Sequence, residues 1–273
     1  MIIDGHAHSC GEFFEGQEII AKLDELKVDK VVLFPGVKNE PGQYNYIPGL
    51  AKIFSNKDML FSANKLIKFL AKVQQYEDLM VRNEYVYFLY LKYSDRIIQF
   101  FWADPNANNL EADLHEKHHS WGFKGVKLHQ CTHSFECDSN GFNIVANFAR
   151  DKKIPVLIHL RSPGDVAKFI NIAVKYPAVN FIIAHLIGLE LFIKHQAILD
   201  NLYFDISPAP LISSKRICLA IDKFGADKII LGSDTPFGKD NLSKNLQKVN
   251  ELNVSGYERE LIKGGNLQRI LKL

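Results

Sequence analysis

Cysteine is scarce in this chain, and long apolar runs are lacking. Its 273 residues include four cysteines, at positions 10, 131, 137 and 218, too few for the disulfide framework of a small secreted domain. No apolar run approaches the ~20 residues that a membrane-spanning helix needs. The first residues become charged and glycine-containing too early for a secretory signal peptide. We therefore expect a cytoplasmic protein with reduced thiols and no membrane partner.

An excess of charge of one sign is lacking too. Lys and Arg number 33 against 31 for Asp and Glu, a net charge of +2, so no basic surface for nucleic acid is indicated. Hydrophobic residues form 47% and charged residues 23% of the chain, which is typical of globular proteins and excludes a disordered chain. Because no linker rich in Pro, Ser or Gly divides it, we predict a single domain over residues 1–273.

Short β-rich runs alternate with longer amphipathic stretches, such as Glu18–Leu26 and Phe142–Lys152. Several of these runs are almost entirely apolar, as in parallel strands that are covered on both faces. Eight such strands with intervening helices predict an α/β protein, a (β/α)8 TIM barrel, which typically takes ~250 residues. A doubly wound sheet is the alternative, but no Gly-rich turn follows the first strand. The predicted strands are Met1–His6, Lys30–Phe34, Ile97–Ala103, Phe123–His129, Val156–Leu160, Asn180–His185, Leu202–Ile206 and Lys228–Gly232.

One region breaks this alternation. Residues 38–94 are far too many for a single crossover between strands 2 and 3, and we predict an extra helical insertion there. Its second part, Glu84–Tyr93, is crowded with aromatic residues. A helix pair packed on the outside, serving a homodimer interface, is the favoured interpretation; a lid over the barrel mouth is the alternative.

Polar side chains mark the ends of several predicted strands, where the active site of a β/α barrel forms. One such histidine is more often a hydrogen-bonded core residue than a ligand, but their joint placement indicates a site. Imidazole and carboxylate are the ligands that a zinc-like divalent metal prefers. Strand alternation puts His6 with His8, and Lys127 with His129, on one side. The candidates are His6, His8, Lys127, His129, His159, Arg161, His185 and Asp234.

The motifs around these residues resemble the amidohydrolase superfamily, specifically its amidohydrolase-2 branch, which includes aminocarboxymuconate-semialdehyde decarboxylase. The resemblance runs almost end to end, and the Asp-x-His-x-His and Gly-Ser-Asp-x-Pro motifs are its most specific parts. Residues 185–188 read His-Leu-Ile-Gly where many relatives have His-Leu-Gly-Gly, a departure that concerns loop geometry more than ligation. The segments that carry the resemblance include Ile3–His8, Gly122–His129, Pro155–His159, Phe181–Leu186, Phe224–Pro236 and Gly264–Leu271.

The resemblance implies a divalent metal, zinc first, with manganese or iron also open. The implied ligands are His6, His8, His159 and Asp234, and His185 is either catalytic or a ligand of a second ion. In two-metal relatives a strand 4 lysine, carboxylated by carbon dioxide, bridges the ions. Lys127 stands at that position; since an unmodified ammonium would be repelled by a cation, it is either carboxylated or paired with an acid.

Two further residues are candidates for substrate binding. Arg161 follows His159 by two positions and could hold a substrate carboxylate through its planar guanidinium, or form a surface ion pair. His129 could reach the substrate or merely pack against neighbouring side chains. The expected partner is therefore a small molecule, one that carries a carboxylate if Arg161 binds it.

The resulting hypothesis is a metal-dependent hydrolase of a small amide, ester or lactone. Metal-activated water would attack the substrate, Asp234 would act as the general base, and His185 would stabilise the oxyanion. The alternative is nonoxidative decarboxylation of an aromatic or muconate-like acid. A third hypothesis is a non-catalytic barrel that binds a ligand or partner. Such a barrel would have lost its metal-ligating residues, yet all of them are present.

Overall fold

The computed structural model describes residues 1–36, 60–61, 64, 78–196, 199–236 and 240–273. Short strands alternate with helices along this chain, and every strand pair is parallel. The strands are β1 (Ile3–His8), β2 (Lys30–Phe34), β3 (Ile97–Gln99), β4 (Phe101–Trp102), β5 (Val126–His129), β6 (Val156–His159), β7 (Phe181–Ile183), β8 (Leu202–Asp205) and β9 (Ile229–Ile230). The helices are α1 (Gly16–Glu25), α2 (Leu79–Lys92), α3 (Leu110–Trp121), α4 (Asn140–Lys152), α5 (Pro163–Lys175), α6 (Leu189–Lys194), α7 (Ser214–Phe224), α8 (Asn241–Glu251), α9 (Gly256–Glu260) and α10 (Asn266–Leu271). The predicted α/β class is confirmed.

The strands form two sheets, one in the order β1-β2-β3 and one in the order β4-β5-β6-β7-β8-β9. The segment after β9 returns to β1: the amide of Gly5 donates to the carbonyl of Leu231 (2.8 Å) and that of His8 to the carbonyl of Thr235 (2.9 Å). The beginning and the end of the strand series therefore lie side by side.

The predicted third strand, Ile97–Ala103, is wrong as a single strand. The structure divides it into β3 and β4, which pair with different sheets, and Phe100 lies between them. The buried ring of Phe100 packs edge-on against Phe34, with 5.3 Å between the ring centroids. It also fills the space beside Gly125, where a Cβ would lie 2.3 Å from the ring. An apolar run does not reveal such a break, because the interrupting residue is as buried as its neighbours.

Strand alternation decides which side chains face the candidate site. Val126 and Leu128 of β5 pack in the large hydrophobic cluster that includes residues of the surrounding helices, as do Val156 and Ile158 of β6. The intervening side chains, those of Lys127, His129, Leu157 and His159, therefore face the opposite side of the sheet.

The predicted insertion is described only in part, since residues 37–59, 62–63 and 65–77 lie outside the described ranges. The aromatic stretch Glu84–Tyr93 falls largely in α2. This helix begins after Asp78, whose carboxylate accepts the amide of Met80 (2.7 Å). Within the described ranges, no helix combines the length and the apolar character needed to cross a membrane.

Candidate metal centre

Three side chains from the two ends of the strand series converge on one point. His6 and His8 lie on β1, and Asp234 follows β9. The Nε2 atoms of His6 and His8 lie 3.4 and 3.5 Å from Oδ1 of Asp234. All three side chains are buried, and their ligand atoms lie within 4.8 Å of one another. Two imidazole nitrogens and one carboxylate oxygen at this spacing fit a divalent metal ion.

Hydrogen bonds at Nδ1 hold the imidazole rings of His6 and His8 in place. Nδ1 of His8 lies 2.9 Å from the carbonyl oxygen of Pro35; because a carbonyl only accepts, Nδ1 carries the proton. Nδ1 of His6 lies 2.8 Å from Oδ2 of Asp205 and donates to it. Each imidazole therefore presents the lone pair of Nε2 to the cluster, the arrangement that metal-binding histidines usually have.

His185 adds a third imidazole beside these ligands. Its ring stacks on that of His6, with centroids 5.0 Å apart, and its Nδ1 donates to the carbonyl of Ser207 (2.9 Å). Nε2 of His185 lies 3.9 Å from Oδ2 of Asp234. Both His185 (φ 64°) and Asp234 (φ 56°) have left-handed backbone conformations, which non-glycine residues adopt at a cost. The fold thus holds both side chains at the cluster despite local strain.

Asp205, at the end of β8, supports the histidines rather than extending the ligand set. It forms a second group of closely spaced atoms with His6 and His185. Its fully buried carboxylate, however, already accepts from the amide (3.0 Å) and hydroxyl (2.5 Å) of Ser207 and the amide of His185 (3.3 Å). Burial raises the pKa of Asp205, and the neighbouring His185 and Ser207 oppose that rise. We did not select Asp205 from the sequence, although the strand-end criterion applied to Leu202–Ile206 would have found it.

Lys127 lies next to His6 at this cluster. It is fully buried, and its Nζ donates to Nε2 of His6 (2.8 Å). The ammonium lies 4.8 Å from the centroid of the Phe34 ring and 5.8 Å from that of Trp102. Burial lowers the pKa of Lys127 to about 8, although the carboxylates of Asp234 and Asp205 favour the charged form. Since Lys127 uses the same lone pair of His6 that a metal would take, metal binding requires this hydrogen bond to be released.

His159 differs from the other imidazoles. Its nitrogens belong to neither of the two closely spaced groups found among the described residues. Its Nε2 lies 2.7 Å from Oδ1 of Asn64, and its buried Nδ1 has no hydrogen-bond partner in the described ranges. Burial lowers the pKa of His159 well below its ordinary value, so the ring is neutral. No motif or strand-end position points to Asn64, which lies in the predicted insertion over residues 38–94.

His129 and Trp102 form a wall next to these residues. Nδ1 of His129 accepts from the amides of Cys131 (3.2 Å) and Thr132 (3.3 Å), so its proton is on Nε2. The His129 ring stacks on that of His159 (4.0 Å between centroids) and on that of Trp102 (5.7 Å). The buried Nε1–H of Trp102 has no acceptor in the described part of the chain. The N–H groups of His129 and Trp102 could therefore donate hydrogen bonds to an oxygen atom of a ligand.

Arg161 takes part in an ion-pair network. Its guanidinium donates through Nη2 to Asp165 (2.9 Å) and Glu136 (3.0 Å), and through Nη1 to the hydroxyl of Ser134 (2.8 Å). Asp165 is buried at the start of α5, whereas Glu136 is exposed. These contacts match the ion-pair interpretation of Arg161, and a contact with substrate stays a prediction.

The fold is thus an α/β protein with imidazoles and a carboxylate at the carboxyl ends of parallel strands, groups that could hold a metal ion. The sequence model of the amidohydrolase family matches residues 52–273, and the chain therefore belongs to this family of metal-dependent enzymes. The resemblance noted in the sequence motifs is thus confirmed. A comparison with curated proteins finds no match.

Solved structures with the same fold include two decarboxylases and a hydratase. The 5-carboxyvanillate decarboxylase from Novosphingobium aromaticivorans, with bound manganese, has a TM-score of 0.67 at 15% identity, over 100% of this chain and 97% of that one. The 2,6-dihydroxybenzoate decarboxylase from Rhizobium has a TM-score of 0.68 at 13% identity, over 99% and 98%. The 4-oxalomesaconate hydratase from Rhodopseudomonas palustris has a TM-score of 0.67 at 13% identity, over 100% and 96%. At these identities the likeness establishes the fold alone.

Proposed function

We propose that this protein is a metal-dependent decarboxylase of a small aromatic or muconate-like carboxylic acid. The observation that carries the proposal is the convergence of His6, His8 and Asp234, with the buried ammonium of Lys127 2.8 Å from His6. A site that combined a divalent cation with a lysine ammonium would favour a substrate carboxylate. The decarboxylases among the solved structures of this fold support this reaction over hydrolysis.

The cation would be held by His6, His8 and Asp234, with His159 and His185 as further candidate ligands. Once bound, it supplies a Lewis acid that stabilises negative charge on substrate oxygens. Zinc, manganese or iron would each suit these ligands. We propose one ion if Lys127 is unmodified, and two if Lys127 is carboxylated and bridges them.

The remaining groups would bind and orient the acid. The ammonium of Lys127 would pair with the substrate carboxylate. The Nε2–H of His129 and the Nε1–H of Trp102 would donate to its other oxygen atoms. Arg161 would reach the substrate only by leaving its contacts with Asp165 and Glu136.

Decarboxylation requires a proton as well as a bond cleavage. The bond between the carboxylate and its carbon breaks, carbon dioxide leaves, and the electron pair ends in a new C–H bond. We assign the delivery of that proton to Asp234, whose Oδ2 lies 3.9 Å from Nε2 of His185. His185 would take up a proton from water on Nε2 and pass it to Asp234 between turnovers, so that water is the source of the proton that ends in the product.

Hydrolysis of a small amide, ester or lactone is the second candidate. It is favoured by the position of Asp234, whose Oδ1 lies between Nε2 of His6 and Nε2 of His8. A carboxylate placed there could take the proton of an attacking water molecule as the general base. His185 would stabilise the oxyanion.

We also propose that the two sheets are arcs of one (β/α)8 barrel. The support comes from hydrogen bonds at both junctions: Gly5 to Leu231 between β1 and the segment after β9, and the amide of Phe100 to the carbonyl of Leu33 (3.2 Å) between the sheets. A single domain, a cytoplasmic location and a homodimer stay predictions.

Product analysis separates the two reactions. The protein, loaded separately with zinc, manganese or ferrous iron, is incubated with hydroxybenzoic acids, a muconate-like acid, and simple amides, esters and lactones. We expect carbon dioxide to form in step with the loss of an acid, measured by a coupled bicarbonate assay and by ultraviolet absorbance. Release of acid from the amides, esters or lactones without carbon dioxide would instead establish the hydrolase.

The matched variant is Asp234→Asn, which keeps the size of the side chain and removes its proton-transfer capacity. We expect turnover to be lost while the circular dichroism spectrum stays unchanged. An active Asp234→Asn variant would contradict the role of Asp234 in either reaction.

A further inference from the structure

Asn64 connects the segment between β2 and α2 to the end of β6. Its buried side chain makes three hydrogen bonds to residues about 95 positions further along the chain. Nδ2 donates to the carbonyls of Leu160 and Arg161, both at 3.0 Å. Oδ1 lies 2.7 Å from Nε2 of His159. One amide thus contacts both the strand end and the imidazole that the strand carries.

These contacts fix both the orientation of the amide and the position of the imidazole proton. Two carbonyl oxygens can only accept, so the NH2 group of Asn64 must face them and Oδ1 must face His159. Since Oδ1 can only accept, Nε2 of His159 carries a proton. A second proton on Nδ1 would be buried without an acceptor among the described residues. His159 is therefore held with a free lone pair on Nδ1.

His159 thus presents the opposite nitrogen from the two ligands on β1. In His6 and His8, hydrogen bonds at Nδ1 leave the lone pair on Nε2, and in His6 this lone pair accepts from Nζ of Lys127 (2.8 Å). In His159, the hydrogen bond at Nε2 leaves Nδ1 free. A buried nitrogen lone pair without a donor is unfavourable unless a cation or a ligand proton occupies it.

We propose that Asn64 is a positioning residue that holds His159 in the tautomer with a proton on Nε2, so that His159 meets the metal through Nδ1. The inference rests on the proposed metal centre, and it ties that centre to the segment between β2 and α2. Loss of a residue that orients a metal-binding histidine typically weakens metal affinity 10–100-fold.

Three variants of the full chain test the proposal. Asn64→Ala removes all three hydrogen bonds. Asn64→Asp keeps the acceptor for His159 and loses the two donors. Asn266→Ala is the matched control, because Nδ2 of this buried asparagine donates to the carbonyls of Ala226 and Ile229 (both 2.8 Å) and to no imidazole.

The first readout is the tautomer of His159 in metal-free protein labelled with ¹⁵N-histidine, measured by long-range ¹H–¹⁵N correlation and assigned with a His159→Gln variant. We expect the wild type, Asn64→Asp and Asn266→Ala to carry the proton on Nε2, and Asn64→Ala to show a mixture of tautomers. A proton on Nδ1 in the wild type would overturn the proposal. So would a wild-type tautomer in folded Asn64→Ala; if that variant does not fold, the wild type and Asn64→Asp still decide.

The second readout is metal affinity, measured by competition with a chromogenic chelator. We expect Asn64→Ala to bind zinc or manganese about 10–100-fold more weakly than the wild type, with Asn64→Asp closer to wild type and Asn266→Ala unchanged. Equal affinities in the wild type and Asn64→Ala would overturn the role in metal binding. If the wild type binds no metal, the proposed function itself fails, whereas the tautomer measurement still decides what Asn64 does to His159.

Discussion

At the scale of single residues, the hydrogen bonds of each histidine decide which of its ring nitrogens carries the lone pair that could bind a metal. The carbonyl of Pro35 places the proton of His8 on Nδ1 and its lone pair on Nε2, whereas the amides of Cys131 and Thr132 leave Nε2 of His129 protonated. A protonated Nε2 cannot bind a cation but can donate to a substrate oxygen. Histidines of similar appearance in the sequence therefore divide into candidate ligands and candidate donors only when their partners are known.

Lys127 gives a residue-scale test of the number of metal ions. Its Nζ now donates to the lone pair of His6 that a metal would use, so an unmodified lysine competes with the metal. For a single-metal decarboxylase we expect one metal equivalent in both the wild type and Lys127→Met, with affinity at least as tight in the variant. We expect kcat/KM for an acid substrate to fall at least ~30-fold, equivalent to about 2 kcal/mol, because a buried partner of the carboxylate is lost.

The measurement is metal content per chain after purification without chelator and with bicarbonate present. Two equivalents in the wild type, falling to one or none in Lys127→Met, would instead identify Lys127 as a carboxylated bridging ligand and favour hydrolysis. Lys124→Met is the control, since this exposed lysine lies on the segment before the same strand.

At the scale of elements, the close approach of β1, β8 and the segment after β9 depends on a glycine. A Cβ at Gly232 would lie 2.2 Å from Oδ1 of Asp205 and 3.0 Å from the Cβ of His6. We expect Gly232→Ala to displace the carboxylate that orients His6, weakening metal binding at least ~10-fold and destabilising the fold by about 1–3 kcal/mol.

Denaturant unfolding and metal competition measure the two effects. Gly256→Ala is the matched control, since a Cβ at Gly256 meets nothing within 4 Å. Wild-type metal affinity in Gly232→Ala would show that Asp205 does not need its present position to support His6.

Much of this arrangement of elements could be predicted from the sequence, because it depends on local patterns. Apolar runs located most strands, and the strand-end rule found His6, His8 and Asp234, which the structure brings together. The break at Phe100 could not be predicted, because the packing that interrupts the strand involves residues that are distant in sequence. Asn64 was missed for the same reason: its contact with His159 spans 95 positions and starts from the predicted insertion, outside any strand end.

At the scale of the whole molecule, a buried thiol should lower the stability of the fold as the pH rises into the alkaline range. Cys137 is fully buried, and burial raises its thiol pKa from an ordinary value of 9.0 to about 12. Between these values the folded chain keeps a proton that the unfolded chain loses, so the contribution of Cys137 to stability declines as the pH rises, by up to about 1.4 kcal/mol per unit.

Comparison of the wild type with Cys137→Ala isolates this effect. We expect the free energy of unfolding of the wild type, measured in urea, to fall more steeply than that of the variant between pH 9 and 11. Cys218→Ala is the control, because this thiol is exposed. Parallel curves for the wild type and Cys137→Ala would mean that the thiol is not shielded from water.

The candidate metal centre also links the two ends of the strand series, because His6 and His8 belong to the first strand and Asp234 follows the last. The unfolded chain cannot hold these ligands together, so metal binding must stabilise the whole fold. A metal at 100 times its dissociation constant adds about 2.7 kcal/mol to the free energy of unfolding. We expect zinc or manganese to raise the urea midpoint of the wild type, and chelator to reverse the rise.

The variant His8→Ala shows whether this stabilisation comes from the proposed centre. Its imidazole is replaced while the hydrogen bond from the His8 amide to Thr235, which joins β1 to the segment after β9, remains possible. We expect the variant to fold and to lose most of the metal-dependent shift. A shift of wild-type size in His8→Ala would place the stabilising metal elsewhere on the chain. The absence of any shift in the wild type would mean that the ligands lie together without binding a metal, and the proposed reaction would lose its basis.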